Sequence, residues 1–314
     1  MINRQLIRIK LVQVLYSYLQ KGSHNPDACE KELLLSLDKA YDLYNFLLML
    51  LVEVGRMSVR MLEVHQARSK KLRDGIQWSR KFADNRFIIQ LDSNRQLRDY
   101  CTEQALSWAD QEKFVRDLYN NIEESDLYKQ YMQSETSSYE EDREIWRLIY
   151  RNFICNNDEL ADLLEDINVY WNDDKAIVDT FVLKTINRFK ETSTASQPLM
   201  PEYKSDVDRD FATKLLRRAI VGQEYYSGLI SSTTRKWDFK RIALMDKIIL
   251  QLGLAEITTF PDIPLSVSIN EYVDIAKMYS TPKSDKYINA TLDSIAKKLI
   301  EEGKLTNEKL NQTS

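Results

Sequence analysis

Glycine and proline are scarce in this 314-residue chain, with seven and six residues, where average usage would place roughly 12% of positions in those two types. Strand-rich folds spend both on tight turns, so the shortage argues against a sheet protein and for long helices. Cysteine is sparser still. Cys29, Cys101 and Cys155 are far apart and follow no metal-ligand spacing, and an odd, sparse set fits a reducing compartment. The two histidines, His24 and His65, have no His or Cys partner at ligand spacing, so no metal is expected. A Gly-rich phosphate loop, a G-x-S-x-G elbow and a Cys/His pairing are all missing; no catalytic group and no cofactor is expected. Long apolar runs are missing too. The longest lies near Phe46–Val52, far short of the roughly 20 residues that span a bilayer. Arg4, Arg8, Lys10 and Gln13 interrupt the apolar residues of the N-terminus, and no small-residue cleavage site follows, unlike a signal peptide. Together these absences predict a cytoplasmic protein without a membrane partner.

What is present is a helical pattern with polarised charge. Hydrophobic residues make up 43% of the chain, enough for a core, and the net charge is −4. Residues 1–26 carry Arg4, Arg8, Lys10 and Lys21 and no acid. Residues 212–241 hold seven basic residues against two acidic ones, and residues 123–174 hold fifteen acids against four bases. Such polarity creates local basic surfaces on an acidic protein, or simply solvated helix faces.

The periodicity predicts an all-α protein of ten or more helices. The first runs from about Asn3 to Gln20 and is apolar almost all round from Leu11 onward, with Lys10, Gln13, Ser17 and Lys21 as a narrow polar stripe. It should be buried on most sides, with its Arg4 and Arg8 end projecting beyond the core. A long helix follows over 26–71, with Leu43, Phe46, Leu47, Leu50 and Val54 at spacings of three and four. Lys70 to Arg86 forms a basic connector around Gly75. Further helices are expected over 87–108, 110–134, 142–190, 208–229 and 238–258. Phe260-Pro261-Asp262-Ile263-Pro264 then forces a turn. Ser268 and Glu271 read as a capping box, Thr281-Pro282 as a break, and Gly303 as the stop of a last helix from about Asp285. The organisation expected is 1–20 as a first helix packed on the C-terminal bundle, 21–191 as a helical insert, 192–201 as a linker, 202–303 as the bundle, and 304–314 as a flexible tail. An echo at an offset of 66 sets Asp142-Arg143-Glu144-Ile145 over Asp208-Arg209-Asp210-Phe211, and Trp171 over Trp237, which suggests a repeated helical unit. Both tryptophans read as packing anchors.

The two ends of the chain resemble the NusB family. Ile263-Pro264 followed by Ser268-Ile269-Asn270-Glu271 and Ala276-Lys277 is similar to its proline turn, I-N-E cap and A-K helix end. Lys286-Tyr287-Ile288-Asn289-Ala290-Thr291-Leu292-Asp293 resembles its K-F-V-N-G-x-L-D. Arg241 to Glu256 resembles the segment before the turn. Arg4 and Arg8 with Val12-Gln13-Val14-Leu15-Tyr16-Ser17 resembles R-x-x-x-R-x-x-x-V-Q-A-L-Y-S. The likeness covers residues 3–20 and 206–300 and leaves the long middle section unexplained. It implies an all-helical, NusB-like bundle that binds boxA-like nascent RNA with the ribosomal protein NusE and modifies the RNA polymerase elongation complex during ribosomal RNA synthesis.

On that resemblance, the expected RNA-facing residues are Arg4, Arg8, Gln13, Tyr16, Lys283, Lys286 and Tyr287, converging on one surface. Arginines can hold phosphate or base edges, and lysines beside an aromatic at a helix N-terminus offer charge, N–H donors and a stacking face. The plainer readings are a solvated helix start for the arginines, core packing for Tyr16 and a capping region for the last three. Two other functions compete: a helical scaffold that binds only proteins, and the RNA-anchoring domain of a ribosomal RNA methyltransferase. The latter would need a nucleotide-binding α/β domain, and the chain ends soon after its last helix.

Overall fold

The structure is a computed structural model, and it describes residues 1–22, 25–73, 75–135, 138–171, 173–233 and 241–305. Among these the chain is all-α. Its helices are α1 (Arg4–Gln20), α2 (Pro26–Leu72), α3 (Arg86–Asp92), α4 (Arg95–Glu103), α5 (Glu112–Glu124), α6 (Asp126–Gln133), α7 (Tyr139–Ile149), α8 (Asp158–Ile167), α9 (Lys175–Arg188), α10 (Asp206–Val221), α11 (Gln223–Thr233), α12 (Leu244–Thr259), α13 (Leu265–Tyr279) and α14 (Ser284–Glu301). The one extended pairing among the described residues is an isolated bridge of Ile2 with Tyr203. No helix among them is long and apolar enough to cross a membrane. His24, Trp237, the basic residues Arg235, Lys236 and Lys240, the start of the helix expected from 238 and residues 306–314 lie outside the described residues.

The long helices expected over 87–108, 110–134 and 142–190 are each broken, and the breaks have a common cause. Asn94, Ser125 and Asn157 turn their side chains onto the backbone N–H groups of Leu97, Tyr128 and Leu160. Such side chains satisfy the orphan donors of a new helix start, which apolar periodicity does not register. The capping box falls at Ser138 and Glu141, ahead of α7.

The chain divides into two compact units: Met1 with Asp38–Glu202, and Ile2–Leu37 with Tyr203–Ser314. In the first, α2 is the spine. Leu43, Phe46, Leu47, Leu50 and Val54 are all buried, as the spacing required, but so are Tyr44, Leu48 and Leu51, so the middle of the helix is enclosed on every side. Aromatic side chains lock onto it. Phe46 stacks on Trp108 at 4.1 Å and meets Trp171 at 5.1 Å. Both indole N–H groups donate to α2 carbonyls, Trp108 to Phe46 at 2.9 Å and Trp171 to Lys39 at 2.7 Å. Trp171 is thus the packing anchor expected. The segment 192–201 is held against this unit: the Ala195 carbonyl accepts from the Arg95 N–H at 2.9 Å, Leu199 N–H donates to Gln96 at 3.0 Å, and Leu199 is buried.

In the second unit α12 is the hub, packed by α1, α10, α11, α13 and α14. Every residue from Ile248 to Ile257 is buried. α1 starts at an Asn3 cap whose side chain accepts from Leu6 N–H at 2.9 Å. Its N-terminal end does not project. Ile2, Leu6, Ile7, Arg8, Ile9 and Lys10 are all buried, because the bridge to Tyr203 ties the chain start onto the bundle and two apolar residues separate the arginines. α14 stops as expected: Gly303 takes a left-handed φ of 69° and donates to the Ile300 carbonyl, a conformation glycine adopts without a Cβ penalty.

The three cysteines are free, and burial is the first cause that pushes each thiol up: Cys29 to about 11, Cys101 to about 12, Cys155 to about 11. An unfolded cysteine titrates near 8.5. At pH 8 the folded thiols should therefore react with iodoacetamide at least about a hundredfold more slowly than in the denatured chain, since the thiolate is the nucleophile. Alkylation followed by mass spectrometry checks this, and equal labelling of native and denatured protein would refute it. With folded values above the unfolded one, the folded chain holds more protons, so these groups lower stability as pH rises from about 8.5.

Candidate nucleic-acid interface

The charged residues that the sequence marks at the two chain ends meet α12, at different ends of it. At its C-terminal end lies Glu256, a carboxylate set in the apolar run Ile248–Ile257 and wholly buried. Arg8 grips it with a two-pronged pair, Nε to Oε2 and Nη2 to Oε1, both at 2.8 Å. Ser268 Oγ donates to Oε1 at 2.8 Å and Tyr272 OH to Oε2 at 3.0 Å. The third guanidinium nitrogen, Nη1, stands 3.1 Å from Glu271. Burial alone would lower the Arg8 pKa, and the bond and charge of Glu256 outweigh it, leaving it raised. Burial first and the Glu256 charge second hold the Tyr272 phenol well above its usual range.

This network corrects the capping box expected at Ser268 and Glu271. α13 begins three residues earlier, behind Pro264, and Ser268 N–H already donates to the Pro264 carbonyl. Ser268 is fully buried and serves Glu256, while Glu271 serves Arg8. A buried carboxylate needs donors more than an exposed helix start needs a cap.

Beside the network, Arg4 remains 42% exposed, with Nε 3.4 Å from Asp208 and its guanidinium 5.0 Å over the Phe211 ring. Arg8 lies over the same ring at 5.6 Å.

At the other end of α12, Asp246 anchors the start of α14. It accepts from Ser280 Oγ at 2.6 Å and from Ser284 Oγ at 3.1 Å. The clamp leaves Lys283 in a left-handed conformation, φ 79°, which is uncommon for a residue with a side chain. Lys283 and Lys286 are exposed, and among the described residues neither joins an ion pair. Tyr287, between them and the core, is half-buried, and burial raises its phenol.

Ten residues separate Asp246 from Glu256, about 15 Å along a helix. Arg4 and Arg8 are therefore not brought together with Lys283, Lys286 and Tyr287. α1 runs beside α10, with Arg4 at Asp208 and the residues after α1, Asp27 and Glu30, at Arg217. α10 opposes α12, since Phe211 meets Phe260 and the Ala219 carbonyl accepts from Gln251. The C-terminal half of α1 therefore points toward the Asp246 end. There Tyr16 is exposed, accepting from Gln20 at 3.0 Å, and Gln13 is half-buried. Along the α12 axis, Tyr16 and Gln13 therefore fall toward the end that holds Lys283, Lys286 and Tyr287, and Arg4 falls at the far end. Sequence reasoning missed Glu256, Tyr272 and Phe211. A lone acid inside an apolar helical run was the available signal for Glu256.

Comparison with known proteins gives a consistent picture. A family profile described as NusB family matches residues 177–297, a range that leaves out α1. The transcription antitermination protein NusB of Salinibacter ruber is 32% identical over 130 residues, which cover 40% of this chain and 81% of that protein. That of Methylacidiphilum infernorum is 42% identical over 90 residues, covering 29% of this chain and 63% of the relative. Among solved structures, T. maritima NusB is 31% identical with a TM-score of 0.30, covering 39% of this chain and 78% of that one.

Proposed function

The chain belongs to the NusB family, and from that premise we propose that it is a cytoplasmic, non-catalytic transcription antitermination factor. In this reading it binds boxA-like RNA together with the ribosomal protein NusE, and the assembly acts on the RNA polymerase elongation complex during ribosomal RNA synthesis. The observation that supports an RNA contact is the start of α14, where two exposed lysines, neither in an ion pair among the described residues, flank a helix N-terminus beside Tyr287. Lysine and backbone N–H groups suit phosphate, and an aromatic face suits an unstacked base. Tyr16 and Gln13 extend that surface along α1. Arg4, half-exposed beside Asp208 and Phe211, is the arginine that solvent and RNA can reach. Arg8 acts one step back, positioning α1 against α12 through Glu256.

Lys283→Gly with Lys286→Gln tests the assignment. Glycine suits the left-handed backbone at 283, so the fold should melt no lower than the parent. Binding to boxA-like RNA, followed by fluorescence anisotropy at several salt concentrations, should weaken several-fold. The log–log salt slope should flatten by about 1, given roughly 0.7 per phosphate on single strands. Parent-like affinity and slope would move the site elsewhere, and a parent without any salt-dependent RNA binding would favour the protein-only scaffold.

A further inference from the structure

The first unit carries a basic, aromatic surface that the family resemblance does not reach. It lies where α2 ends. A cavity of about 460 Å³ opens between the last turns of α2, the connector after it, α5 and α6, with Leu62, His65, Trp78, Tyr119, Tyr128 and Met132 in its wall. A second cleft of about 590 Å³ shares Trp78 and is lined by Gln66, Lys70, Arg73 and Gln77. Both volumes fall in the range of roughly 300–1,000 Å³ typical of ligand sites.

Three features suit this surface to a strand of nucleic acid. First, its aromatic faces are fixed in advance. His65 and Trp78 stack at 4.5 Å and 18°, and the Trp78 indole N–H donates to Ser69 Oγ at 2.8 Å, which sets the ring's orientation. Tyr128 is backed by Phe82 at 4.9 Å, itself stacked on the buried Trp146 at 5.2 Å. Second, large apolar groups stay in solvent here: Trp78 is 38% exposed and Ile76 is 55% exposed. Third, the charge beside them is unneutralised. Lys70 and Arg73, which line the second cleft, are exposed along with the nearby Arg68 and Lys71, and among the described residues none of these four side chains takes part in an ion pair or hydrogen bond. By contrast Arg80, a few residues on, is paired with Asp84 at 2.8 Å. Unpaired cations beside exposed aromatic faces make the pattern that tracks a phosphate backbone while bases stack. Glu123, in the cavity wall and accepting from Tyr119 OH at 3.0 Å through Oε1, has a second carboxylate oxygen to offer the exocyclic amino group of a base.

We propose that the aromatic slot at Trp78 and the basic rim Arg68–Arg73 form a second site, for single-stranded RNA, which holds one or two unstacked bases against His65, Trp78 and Tyr128. The site lies within the first unit and owes nothing to the α14 surface.

The full chain is titrated against a short, mixed-sequence single-stranded RNA, in the parent and in the Lys283→Gly, Lys286→Gln background. Trp78→Ala should weaken binding about tenfold in either background, the scale of one stacked base, whereas Trp78→Phe should retain most of it. Replacing Arg68, Lys70, Lys71 and Arg73 with Gln should flatten the log–log salt slope by up to about 3, at roughly 0.7 per phosphate. Ultraviolet crosslinking with peptide mapping should place RNA on peptides containing His65, Trp78 or Tyr128. Trp78→Ala with an unchanged melting temperature and parent affinity overturns the proposal. So do crosslinks confined to residues 203–305. If both sets of variants leave RNA binding intact but abolish capture of a protein from lysate, the surface is a protein contact and the RNA assignment falls.

Discussion

Arg8→Ala should destabilise the second unit by about 3–5 kcal/mol, the usual cost of removing one partner of a buried ion pair. Glu256 would keep only Ser268 and Tyr272 as donors in a site with no solvent, and Glu271 would be left as an unopposed like charge nearby. Glu256→Gln should cost less, because Arg8 would still face Glu271. Arg8→Lys should fall between, since a single ammonium cannot reproduce the two-pronged pair. Replacing the pair by Arg8→Met with Glu256→Leu should recover much of the loss, as apolar isosteres often match a buried pair. With two compact units in the chain, one melting curve need not report one transition, so hydrogen exchange across α12 is the better readout. Loss of protection there, with the first unit unchanged, is the expected pattern. Intact protection in Arg8→Ala together with lost RNA binding would instead make Arg8 a direct contact.

Trp146→Ala should cost the first unit a comparable 3–5 kcal/mol, roughly the usual range for truncating a buried tryptophan. Trp146 is fully buried and stacks on Phe82 at 5.2 Å, so truncation leaves a large void that the aromatic cluster cannot fill. Trp146→Phe should be far milder, about 1 kcal/mol or less, as for other large-to-smaller apolar swaps that keep most of the volume. The indole N–H finds no acceptor among the described residues, and an unpaired buried donor is itself a cost that phenylalanine removes. Denaturant unfolding of the two variants checks the ordering. A Phe variant as unstable as the Ala variant would mean that the indole N–H is held by a bond of real value. Because Phe82 also backs Tyr128, Trp146→Ala should loosen the Trp78 slot and weaken RNA binding there without touching a base.

Much was legible in the residues themselves. α1, α2, the turn at Pro261 and Pro264 and the stop at Gly303 follow from apolar spacing and from backbone rules that act over a few residues. The packing of α1 into the bundle followed from its nearly unbroken apolar surface. The all-α class followed from the shortage of glycine and proline. The family followed from short motifs in the right order at both ends. The Asn and Ser caps that split three expected helices were equally local, but a periodicity argument weighs apolar residues and passes over them.

The roles of the charged residues were another matter. Arg4 and Arg8 are alike in sequence, yet one is half-exposed and the other is enclosed with Glu256, 248 positions away. Ser268 and Glu271 have the spacing of a cap and are used for a buried network instead. Lys286 and Arg8 lie in motifs of one family and at opposite ends of α12. Local propensity and apolar spacing decide which segments are helical and which faces are buried, since those terms depend on neighbours in the chain. Whether a charge is solvated or paired depends on partners from distant segments and on the solvent each site retains, so only the tertiary structure decided that Arg8 is enclosed with Glu256 while the α14 lysines and the cations beside Trp78 stay exposed.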